Sequence, residues 1–221
     1  QLELLRRARK RFKRVVTVVF GGSPFDLGPV CASSDAVLLA WYPGEQGGRA
    51  VARAVLGRCN PSGRLPITYP QSYADLPDFK DYSLAGRTYR YATKKPAYPF
   101  GYGLSYTTFA YEGLTVTRDG ERVTMTVRVK NSGSRAGEEV VQVYVRAPAG
   151  AGDRRLHHLE GFVRVGLKPG EEKAVTVPLA KAQFAVYGED GHPFVPAGPS
   201  TLFVGGGQPG FAPCLTEEVV W

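Results

Sequence analysis

Two rhythms of apolar and polar residues divide this chain, and they change over near Phe109. In the N-terminal part the apolar residues come in unbroken blocks. Val15-Val16-Thr17-Val18-Val19-Phe20 is a largely β-branched run with no polar face, and Val37-Leu38-Leu39-Ala40-Trp41 is a second. Such runs predict strands buried on both sides in a parallel sheet. Leu2 to Lys13 predicts a helix, with Leu2, Leu5, Ala8 and Phe12 on one side and arginines over the rest. It carries no N-cap signal and starts abruptly at Gln1, which suggests a cut through a larger protein. Past Tyr42, a turn at 43–48 leads into a helical pattern with Val51, Ala54, Val55 and Leu56 on one side, stopped by Gly57. Strand, connection, strand and helix predict a parallel α/β layer. Its ligands are expected at the C-terminal strand ends, where Gly21-Gly22 and the 43–48 turn lie.

Beyond Phe109 the period becomes two. Val123, Met125, Val127 and Val129 alternate with Thr124, Thr126, Arg128 and Lys130, and Asn131-Ser132-Gly133 makes a turn. Val141, Val143 and Val145 alternate with Val140, Gln142 and Tyr144. Val175, Val177 and Leu179 repeat the pattern after Lys168-Pro169-Gly170-Glu171, and Thr201 to Val204 closes the series. Short alternating strands separated by turns predict a β-sandwich. Between the two patterns, residues 71–99 are rich in Pro, Tyr, Asp and Lys without periodicity, and read as an ordered connection between domains.

Charge changes this picture little. The net charge is +8, but Arg6, Arg7, Arg9, Lys10, Arg11, Lys13 and Arg14, offset by Glu3, place most of it in the first fourteen residues. The solvated face of a helix explains that run better than a phosphate-binding arm, because no aromatic stacking platform accompanies it. No apolar run reaches the ~20 residues of a membrane helix. Neither nucleic acid nor membrane is expected as a partner. Cys31, Cys59 and Cys214 are too few and scattered for a disulfide framework. No secretory signal opens the chain, so the residues alone name no compartment.

Three stretches carry a resemblance. Trp41-Tyr42-Pro43-Gly44-Glu45-Gln46-Gly47-Gly48 with Asn60-Pro61-Ser62-Gly63-Arg64-Leu65-Pro66, then Asp81-Tyr82-Ser83 with Gly86-Arg87-Thr88-Tyr89-Arg90-Tyr91, then Tyr98 to Phe109, resemble in order the second domain of glycoside hydrolase family 3 and the segment after it. The middle spelling is most like the β-xylosidase branch. Gly137 to Val145 and Leu167 to Glu171 resemble the fibronectin type III-like domain that ends many of these enzymes.

The resemblance implies a fold class of a partial α/β layer, a fragment of an α/β sandwich domain, followed by an all-β fibronectin type III-like sandwich. The expected division is 1–70 for the partial family 3 C-terminal α/β domain, 71–110 for the connection, 111–207 for the sandwich and 208–221 for a tail. It also implies a retaining, xylan 1,4-β-xylosidase-like glycosidase needing no cofactor, acting on oligosaccharides and secreted from the cell. Retaining chemistry uses a nucleophilic carboxylate and an acid/base carboxylate about 5–5.5 Å apart. In the family the nucleophile lies on an N-terminal barrel and the acid/base in a motif upstream of the stretches quoted. Neither motif occurs in this sequence, so no catalytic residue is expected in it. The oligosaccharide would meet this chain through that barrel. The rival reading is a non-catalytic fibronectin type III-like module contacting carbohydrate or protein.

Four residues are candidates for substrate binding. Glu45 lies in a turn after a strand, although a carboxylate before a helix is also favoured by the free N–H groups there. Arg87, Tyr89 and Arg90 offer donors and a flat ring to a sugar, or could pin the connection onto a domain. Tyr98, Phe100, Tyr102, Tyr106 and Phe109 read as an interdomain plug. Gly205 to Gly210 matches G-x-G-x-x-G only formally, since Pro209 interrupts it and no βαβ unit can follow. Gly21-Gly22 lacks the Lys-Ser/Thr of a phosphate loop. His157, His158 and His192 show no zinc spacing with the cysteines, and the adjacent pair reads as exposed in a polar loop.

Overall fold

The computed structural model describes residues 1–221. Helix α1 (Leu2–Arg11) ends two residues short of the sequence expectation, where Phe12 turns extended at φ −112°, ψ 139°. Its end is fastened by Asp35, whose carboxylate accepts the Arg9 guanidinium at 2.7 Å and the Val15 N–H at 2.8 Å. Strand β1 (Val16–Phe20) is followed by the short helix α2 (Gly28–Ala32), with Pro29 in its first turn, and then by β2 (Ala36–Trp41). The two strands pair in parallel, Val18 opposite Leu38. Helix α3 (Gly47–Val55) stops at Gly57, which takes φ +66°.

Two expectations need correction here. Both strands were expected to be buried on both faces, yet they are only half-buried, with Val16 and Phe20 exposed. The sheet has just these two strands, and two strands and three short helices cannot cover each other. In α3, Ala54 is buried while Val55 and Leu56 are exposed, so the predicted apolar face is only partly used. Leu27, Leu65 and Tyr69, backed by Val19, Leu39 and Trp41, form the small core of this part.

The connection contains a 3-10 turn at Tyr73–Asp75 and a single helical turn, α4 (Thr88–Tyr91). Ser72 caps the first: its Oγ accepts from Ala74 N–H at 2.9 Å, while its own N–H donates to Asp75 at 3.2 Å.

The sandwich is built from β3 (Phe109–Asp119), β4 (Arg122–Asn131), β5 (Gly137–Arg146), β6 (His158–Leu167), β7 (Glu172–Ala180), the two-residue strands β8 (Val186–Tyr187) and β9 (Pro193–Phe194), β10 (Pro199–Gly205) and β11 (Cys214–Val220). One sheet runs β3-β4-β7 and the other β11-β10-β5-β6. Val123, Met125, Val127 and Val129 of β4 face Val141, Val143 and Val145 of β5 across a core of fifteen buried residues. Alternation along β4 is that of a sheet with one wet face.

Residues 208–221 are not a tail. β11 pairs with β10 over seven positions, Val219 enters the core, and Trp221 meets Phe184 edge-on at 5.1 Å. The sandwich therefore extends to the end of the chain. On β5 the polar-looking positions Gln142 and Tyr144 are also buried, because the connection covers that outer face. His157 and His158, expected in an exposed loop, are 4% and 1% exposed: Tyr89 of the connection covers the first, and the second opens β6 opposite the core residue Val145.

Candidate functional site

Where the connection crosses from the α/β layer to the sandwich it leaves an open cleft of about 620 Å³. Its floor is aromatic. Tyr89 of α4 stacks on Phe100 with centroids 4.2 Å apart and planes within 14°, and both rings meet Tyr144 of β5 edge-on. The Tyr89 hydroxyl accepts the Leu159 N–H at 3.0 Å, and the Arg90 carbonyl accepts the Leu156 N–H at 2.7 Å. These bonds hold α4 against the sandwich. Behind the floor, Tyr144 donates to Gln142 at 2.6 Å, and the Gln142 amide donates to the carbonyls of Gly101 and Gly206 at 3.1 and 3.0 Å.

The rim is made by the 72–87 loop. Arg87 gathers it, one guanidinium nitrogen donating to the carbonyls of Asp78 at 2.5 Å, Asp81 at 3.1 Å and Pro77 at 3.4 Å. Leu84 and Thr88 on either side of it have φ +60° and +57°, a region that non-glycine residues enter at a cost of order 1–3 kcal/mol. Trp41, at the end of β2, is the third such residue, at φ +52°.

Arg87, Tyr89 and Arg90 all line the cleft, but Glu45 does not; it stands exposed in the turn before α3. Asp75 is the single carboxylate in the lining, and it is paired with Lys94 at 3.3 Å. The two-carboxylate arrangement of glycoside hydrolysis is therefore not formed in this cleft. No cluster of three or more His, Cys, Asp or Glu is arranged to hold a metal ion.

Two buried polar groups adjoin the site. His157 packs against Tyr89 and Tyr144 at 5.9 and 5.5 Å, and neither ring nitrogen has a hydrogen-bond partner. Burial pushes its pKa down to about 4, with Arg146 and His158 adding repulsion. Farther along the domain boundary, Arg64 meets Glu139 at 2.7 Å with both side chains nearly inaccessible, and Tyr111 donates to the same carboxylate at 2.8 Å. Burial raises the pKa of Glu139, and Arg64 opposes that rise. Gln142, Tyr144, His157 and Lys95 escape sequence reasoning. The first two have the spacing of an ordinary outer face, and the histidine pair has no periodic context.

Comparison with known proteins agrees with this architecture. Residues 1–106 match the glycosyl hydrolase family 3 C-terminal domain, and residues 139–208 match the fibronectin type III-like domain. A xylan 1,4-beta-xylosidase of Xylanibacter ruminicola is 40% identical over 183 residues, which is 82% of this chain and 21% of that protein. A periplasmic beta-glucosidase of Salmonella typhimurium is 37% identical over 196 residues, 81% of this chain and 26% of its own length. The structure of beta-glucosidase 3B from Thermotoga neapolitana superposes with a TM-score of 0.90 at 34% identity, over 99% of this chain and 33% of that one. The chain thus spans between a fifth and a third of these relatives.

Proposed function

Because this chain belongs to glycoside hydrolase family 3, we propose that it works as the C-terminal portion of a retaining β-glycosidase, xylan 1,4-β-xylosidase-like in preference, and that it hydrolyses nothing by itself. The observation that carries this reading is the lone, lysine-paired Asp75 in the cleft, where hydrolysis with retention needs two carboxylates. In the whole enzyme the half-buried β1–β2 pair and the exposed Phe20, Tyr42 and Leu56 give an apolar face for the catalytic part to cover. Its substrate is a β-linked oligosaccharide, and Arg87, Tyr89 and Arg90, which line the cleft together, are its binding residues on this chain. The periplasmic placement named for the Salmonella relative supports work outside the cytoplasm.

Hydrolysis of nitrophenyl β-xyloside and β-glucoside tests this. The 221-residue chain is expected to be inactive. A polypeptide translated from further upstream in the same gene is expected to be active, with the xyloside as the better substrate. Turnover by the short chain overturns the assignment and makes Glu45 a residue to test as the acid.

A further inference from the structure

The cleft carries a charge imbalance that a neutral sugar does not use. Arg87, Arg90, Lys94 and Lys95 line it against one carboxylate, Asp75, which Lys94 already neutralises. Arg87 spends its hydrogen bonds on backbone carbonyls, and Asp81 nearby offsets part of its charge through space. Its nearest carboxylate, Asp81, is engaged by the Ser83 N–H at 2.8 Å. Arg90 uses only Nε, on the Tyr89 hydroxyl at 3.4 Å, so both terminal nitrogens are free of protein acceptors. Glu160, the acid nearest to Arg90, is hydrogen-bonded to His158 at 2.6 Å and Gln183 at 3.1 Å, and meets Arg90 only through space, with no direct bond to it. Lys95 is exposed and makes no ion pair. Of these cations, Arg90 stands over the Tyr89 ring, its guanidinium carbon 5.7 Å from the centroid.

We infer that the cleft binds an acidic saccharide, a sugar whose ring packs on the aromatic floor while its carboxylate pairs with Arg90 and Lys95. This deepens the glycosidase reading by naming the class of unit accommodated away from the scissile bond, a hexuronate carried on the oligosaccharide. Three features fit that ligand. An apolar floor with a few directed polar groups is the usual form of a small-molecule site. The free fork of Arg90 matches a carboxylate in two parallel bonds. Finally, α4 is fixed before any ligand arrives, by its bonds to Leu156 and Leu159, so little ordering entropy is lost on binding.

Calorimetric titration of the 221-residue chain with xylotriose bearing one glucuronate branch, beside plain xylotriose, tests the inference. The acidic probe is expected to bind about ten- to hundredfold more tightly, as charged hydrogen bonds allow, and to weaken as salt rises. Lys95→Glu, at a side chain with no protein partner, is expected to remove most of that preference, and Arg90→Gln the rest. Equal affinity for the two probes, binding of neither, or a preference untouched by Lys95→Glu overturns the inference. The titration needs no turnover, so it can fail while the hydrolysis assay succeeds, and the reverse.

Discussion

His157 shows how one side chain ties the cleft to pH. Its ring is buried against Tyr89 and Tyr144 with both nitrogens unpaired, a setting that tolerates only the neutral form. The folded pKa lies near 4 and the ordinary value is 6.5. Between those values the unfolded chain binds the extra proton, so stability is complete above about pH 6.5 and falls as pH drops towards 4. The expected loss is on the order of 3 kcal/mol by pH 4. Thermal unfolding of His157→Phe, which keeps an aromatic ring in the cluster, is expected to show a flatter dependence over that range than the unaltered chain. Identical pH slopes for the two proteins exclude His157 as the cause. The Arg64–Glu139 pair is a residue-scale feature of the opposite kind, a buried charge matched by a buried charge. Its value lies in not leaving either ion alone, since Arg64 Nε is already without a partner.

Among the elements, β11 departs furthest from its sequence reading. Cys214 to Val220 has only a weak alternation, with Glu217 and Glu218 adjacent, and follows a Gly- and Pro-rich turn. Its strand character comes from β10, whose free edge accepts it over seven paired positions. Truncation after residue 207 tests its weight. It uncovers that edge and removes Val219 and Trp221 from the core region, so cooperative unfolding by circular dichroism is expected to be lost. A truncated chain that melts like the original shows that β11 is dispensable. β3 was hidden for a different reason. Its pairing with β4 slips between Glu112 and Thr115, where Gly113 has φ +61°, and such a bulge breaks the period of two that marks a strand.

At the scale of the whole molecule the apolar core is unevenly shared. All fifteen residues of the main core belong to the sandwich, whereas the α/β layer has three and exposes Leu4, Phe12, Phe20, Tyr42 and Leu56. Limited proteolysis of the 221-residue chain is therefore expected to cut within residues 1–60 well before it cuts the sandwich. Cleavage of both parts at one rate defeats that expectation. Amino-acid order by itself determined the two kinds of layer, since unbroken β-branched runs and strict alternation are local patterns that backbone geometry converts into parallel and antiparallel strands. It also determined the helix stop at Gly57 and the order of the family motifs. Only tertiary structure decided that Gln142, Tyr144 and His157 are inside, that β11 is a strand, and that Arg87, Tyr89 and Arg90 meet Lys95 in one cleft while Glu45 stands apart. Each depends on what a distant segment lays over or beside a residue, and a period of two or 3.6 carries no information about a neighbour fifty positions away.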